Sequence, residues 1–93
     1  MKNNYRKRFL LLRDLLQKRD PFNHMKIHKG DRFEKEMYGY EATTILEKFW
    51  KNPQTSAITF FLKEHAFKNH FSQDSKIIEG MISEIMNILE KDL

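Results

Sequence analysis

The chain has 93 residues, of which 40% are hydrophobic and 13% aromatic, with a formal net charge of +4 and no cysteine. That much apolar material supports one domain with a core and argues against intrinsic disorder. The absence of thiols excludes disulfide scaffolds, cysteine-ligated zinc and thiol catalysis. No apolar run approaches the roughly 20 residues of a membrane span. The longest one near the N-terminus, Phe9–Leu12, is too short for a secretory signal core. The expectation is a soluble cytoplasmic protein built as a single helical domain over residues 1–93.

Charge is unevenly spread. Residues 1–30 hold nine Lys/Arg and two Asp, whereas residues 31–93 hold eight Lys/Arg and eleven Asp/Glu. A basic head on a mildly acidic body suits an anionic partner, or attraction between the two parts of the chain.

A first helix is predicted from about Asn3 to Arg19. Tyr5, Phe9, Leu12 and Leu16 recur at helical spacing, and Leu15 widens their stripe. Asp20-Pro21 ends it, because proline disfavours helical geometry in the residue before it. Residues 22–30 then read as a loop. A second helix is predicted after Gly30, with Asp31 as its cap and Glu34 three residues on as a capping-box partner. Its core stripe is Tyr38, Ala42, Ile45 and Phe49, with Leu46 and Trp50 beside it. Gly39 weakens its middle by about 1 kcal/mol relative to alanine.

A third helix is predicted from Pro53, at a first helical position, to about Asn69. At about 100° per residue, Ile58, Phe61, Leu62 and His65 share one side, while Phe60, Phe67 and Phe71 share the opposite side. A helix apolar on two faces is either sandwiched or presents one face to a partner. A fourth helix starts near Asp74 or Ser75. Ile78, Ile82, Ile85 and Leu89 form its stripe, broadened by Ile77, Met81 and Ile88. The predicted architecture is a compact all-α four-helix bundle with antiparallel neighbours.

Candidate chemistry is sparse. His24 and His28 are four apart, the spacing of a zinc pair on a helix, but they lie between Asp20-Pro21 and Gly30 among lysines, so a solvated loop is the reading. His65 falls among core positions and reads as a buried histidine bonded to an acceptor. Glu34, Glu36, Glu41 and Glu47 read as a hydrated acidic face without the second wall of an acid–base pocket. No metal, cofactor or catalytic residue is expected.

Two contact surfaces remain. The basic residues Arg6, Lys7, Arg8, Arg13, Lys18 and Arg19, followed by Lys26 and Lys29, wrap the first helix and its loop instead of forming one strip. The aromatic residues Phe60, Phe67 and Phe71 suit a hot spot.

At "RDPF", "YGYEATTILEKFW" and "IIEGMISEIMNILEKDL" the chain resembles a group of small all-helical bacterial proteins. That group carries a Trp-Asp-Pro-Leu/Phe motif after the first helix, then a helix containing Tyr and Glu, and includes both proteins of no known function and toxin-immunity-like proteins. Arg19 stands where the group has Trp. The resemblance implies binding and inhibition of another protein, not catalysis.

The expectation is therefore a non-enzymatic protein-binding module of the immunity, antitoxin or phage-inhibitor kind. It would contact an acidic or apolar protein surface through Arg6, Lys7, Arg13, Lys18, Phe60, Phe67 and Phe71. The alternative is a small nucleic-acid-binding regulator using Arg6, Lys7, Arg8, Arg13, Lys26 and Lys29 on phosphates. Homodimerisation is compatible with either.

Overall fold

Helix α1 (Lys2–Arg19) stops where the sequence says it must. Asp20 takes a left-handed conformation (φ 49°), and Pro21 follows it. The computed structural model describes residues 2–93, with side chains from residue 4 onward. Four further helices follow: α2 (His24–Ile27), α3 (Gly39–Phe49), α4 (Thr55–Lys68) and α5 (Ser75–Glu90). No strand occurs among the described residues. The Cα radius of gyration, 12.7 Å, is close to the about 12 Å expected of a compact chain of this length.

Helix α1 packs on α3 and α5, and α4 packs mainly on α5. The core combines Leu12, Leu15 and Leu16 of α1, Ala42, Ile45 and Leu46 of α3, Ile58, Leu62 and Ala66 of α4, and the Ile78/Met81/Ile82/Ile85/Leu89 face of α5. Tyr5, predicted in the stripe of α1, sits at its rim, with its ring centroid 6.0 Å from that of Trp50. The α5 stripe is as the periodicity predicts, and Asp74 caps it by accepting from the N–H groups of Lys76 and Ile77.

Several local expectations are corrected. The predicted loop after Pro21 contains α2 and buries Phe22 completely. Asp20 makes this turn, since its carboxylate accepts from the N–H groups of Met25 (3.0 Å) and Lys26 (3.3 Å).

The second predicted helix does not begin at Asp31. Its capping chemistry is present: Asp31 Oδ1 accepts from Phe33 N–H, and Glu34 Oε2 accepts from Gly30 N–H. It closes only a 3-10 turn over Glu34–Glu36. Tyr38 then turns left-handed (φ 69°), and α3 starts at Gly39. The fourth helix in sequence, α4, begins at Thr55, so Pro53 precedes it instead of opening it.

The end of α4 separates Phe71 from its predicted stripe. His70 is left-handed (φ 58°), the N–H of Phe71 donates to the Ala66 carbonyl, and that of His70 donates to Phe67. This paired C-terminal turn folds the next apolar residue back onto the protein. Phe71 accordingly packs on Phe22, His24 and His65 and is half-buried.

Arg8 is also moved. Grouped with phosphate-binding cations from sequence, it is only 6% exposed. Its guanidinium donates to the carbonyls of Ile88, Leu89 and Lys91 at the end of α5 and lies 5.0 Å from the Trp50 ring centre. A cation at a helix C-terminus meets unsatisfied carbonyls and the negative end of the dipole, which offsets the burial of its two terminal nitrogens, while Nε is buried without a partner.

Candidate functional site

The densest polar cluster forms where the α1–α2 turn meets α3 and α4. The side chain of Tyr38 enters beneath that turn. Its hydroxyl donates to Asp20 Oδ1 at 2.6 Å and accepts from the backbone N–H of Phe22 at 3.0 Å. Burial first, then the hydrogen bond to Asp20, pushes the phenol well above its ordinary range. Tyr38 is thus a fixed neutral donor.

This has a testable consequence. The unfolded chain releases the phenol proton near pH 10, while the folded chain keeps it. Tyr38 therefore contributes its full stabilisation below about pH 10 and loses it as pH rises further. Tyr38→Phe is expected to cost about 1–3 kcal/mol at neutral pH, since it leaves the buried Phe22 N–H without its acceptor and removes one donor from the half-buried Asp20 carboxylate. It should also flatten the alkaline fall of stability. Urea midpoints measured at about pH 8 and about pH 11 check this, and parallel falls in both proteins would refute it.

Above Tyr38 lies Glu41, read from sequence as part of a hydrated face but only 5% exposed. Its Oε2 faces two imidazoles, His65 Nε2 at 3.1 Å and His24 Nε2 at 3.5 Å. Asn69 Nδ2 donates to the His65 carbonyl and lies 3.3 Å from Nδ1, which assigns the hydrogen of a neutral His65 to Nε2, toward Glu41. Around His65, the rings of Phe22, Tyr40, Phe61 and Phe71 have centroids within 5.8 Å. His24, expected in a solvated loop, packs instead on Tyr38 and Phe71. His28 stays at the surface beside Asp31.

Both nitrogens of His65 and Oε2 of Glu41 have partners, so the cluster ties α2, α3 and α4 together. Thr44, on the adjoining wall, donates its hydroxyl to the Tyr40 carbonyl. Among the described residues, no group of three His, Cys, Asp or Glu is placed to hold a metal ion, and no helix is long and apolar enough to cross a membrane.

A cleft of about 560 Å³ opens over this cluster between α3 and α4. Tyr40, Phe61, His65 and Phe71 supply aromatic walls, and Lys48 and Lys68 stand at its mouth. On the far side of α4, Phe60 is 64% and Phe67 77% exposed, two helical turns apart and opposite the buried Ile58, Leu62 and Ala66. The three predicted phenylalanines thus divide into an exposed pair and a packed third.

Of the predicted cations, Arg6, Lys7, Lys18, Lys26 and Lys29 are exposed, and among the described residues none of them is in an ion pair. Arg13 is half-buried against the Phe9 ring and Asp14. Sequence reasoning missed Glu41 and His24. The available signal was His65, whose core position demanded an acceptor that lies 24 residues away.

No protein-family model matches the chain, and neither a curated protein nor a solved structure matches it.

Proposed function

We propose that this chain is a non-enzymatic protein-binding module that acts by covering a partner's surface. One observation carries the reading: the outward face of α4 holds two large aromatic residues, Phe60 and Phe67, in solvent. Exposed aromatic pairs on a rigid helix are costly in an isolated protein and are the usual anchors of interfaces. The free cations Lys7 and Lys18 on α1 favour an acidic partner, mainly by speeding and orienting encounter. The resemblance of "RDPF" and the following helix to immunity-like proteins makes inhibition of that partner the role, in the cytoplasm of a bacterium or of a phage-infected cell. The four long helices, taken as an antiparallel bundle, supply the rigid support.

A second reading has its own support in the five unpaired cations, which suit phosphate contacts. One experiment separates the two: capture of partners from host extract with and without nuclease, using the wild type and Phe60→Asp/Phe67→Asp. The protein-binding reading expects capture that survives nuclease and is lost in the double variant. Capture that disappears with nuclease and ignores the double change supports nucleic-acid binding instead.

A further inference from the structure

We infer that the α3–α4 cleft is a peptide-docking pocket that takes an aromatic side chain flanked by carboxylates from the protein partner. The inference rests on the protein-binding reading and gives the partner's contacting segment a chemistry.

Size and walls come first. A cleft of about 560 Å³ lies in the range that receives a large side chain with its neighbours. Its walls are ring faces: Tyr40 and Phe61 lie nearly parallel to His65, at 22° and 24°, and Phe71 meets it edge-on. Tyr40 remains exposed, so its outer face is open to a further ring.

Charge selects what surrounds that ring. Two carboxylates line the cleft, but they are not equivalent. Glu41 is on its floor, with Oε2 turned to His24 and His65. Glu64 is paired with Lys68 at 3.1 Å. Lys48 is exposed, rests 5.8 Å from the Phe61 ring centre, and is in no ion pair among the described residues. An incoming chain therefore meets two ammonium groups against one accessible carboxylate, with Lys48 unmatched. A carboxylate beside the inserted ring satisfies Lys48, whereas a basic neighbour is repelled.

The test is an amide-shift titration of the full-length, isotope-labelled protein with capped tetrapeptides at millimolar concentration. Acetyl-Asp-Glu-Phe-Asp-amide should shift the amides of Tyr40, Thr44, Lys48, His65 and Asn69 saturably. Replacing its Phe by Ala, or its acids by Lys, should abolish these shifts. Lys48→Glu should weaken binding about tenfold or more. The inference is overturned if the acidic aromatic peptide leaves the cleft unshifted, if the basic peptide binds it as well, or if the shifts gather on Arg6, Lys7 and Lys18. An unshifted cleft combined with partner capture lost in Phe60→Asp/Phe67→Asp removes the pocket and leaves the protein-binding reading intact.

Discussion

Glu41→Ala is expected to destabilise the protein by about 3–5 kcal/mol, read as a lowered urea midpoint at unchanged slope. The carboxylate lies beneath the cleft with Oε2 shared by His24 and His65, and all three side chains are largely shielded from water. Its removal opens a void and leaves two imidazoles without their acceptor, so the cost adds packing loss to unpaired polar groups. Glu41→Gln keeps the volume and one acceptor oxygen and should cost less. Glu47→Ala, on the exposed part of the same helix, should stay within about 0.5 kcal/mol. A Glu41→Ala cost no larger than that of Glu47→Ala would show that the two-histidine arrangement contributes nothing to the fold.

Arg8→Ala is the second large effect, expected at about 2–4 kcal/mol from the lost charge-assisted bonds to three carbonyls and the lost stem packing. Arg8→Lys keeps the charge, but an ammonium cannot fork across carbonyls of Ile88, Leu89 and Lys91 as a planar guanidinium does, so it should recover only part of the loss. The effect has a location as well as a size. Amides of the last turn of α5 should lose exchange protection more than those of α3. Uniform loss of protection would assign Arg8 to general packing instead of the helix end.

These two residues also show where sequence reading stopped. Leu12, Leu16, Ile78, Ile82 and Ile85 were legible because their partners in the pattern lie three or four residues away, and periodicity is a local property. Arg8 sits at the edge of such a stripe, and its charge argued for solvent. What buries it is the end of a helix 80 residues later. Glu41 looked hydrated for the same reason, since its histidines come from two other elements. Phe71 failed differently. Helical angles hold only to Lys68, and the left-handed turn at His70 redirects the chain before Phe71. At Asp31 and Glu34 the local chemistry was right and its consequence was wrong. The caps formed but closed one short turn, because Tyr38 takes a left-handed bend and its hydroxyl is held by Asp20 and Phe22.

The candidate surface was legible in the part that depends on one helix, Phe60 and Phe67, and not in the part that depends on two. The cleft exists because α4 leans on α5 and leaves its α3 side open, an arrangement no stretch of sequence specifies alone.

The central claim is that the outward face of α4 binds a protein. Its most direct test is calorimetry of the purified, nuclease-resistant partner with the wild type and with Phe60→Asp/Phe67→Asp, alongside a thermal melt of each. Loss of about 100-fold or more in affinity, with melting temperatures that nearly coincide, is the predicted result. Unchanged affinity in the double variant, or a variant that no longer folds, would contradict it, the first because the face does not bind and the second because it belongs to the core.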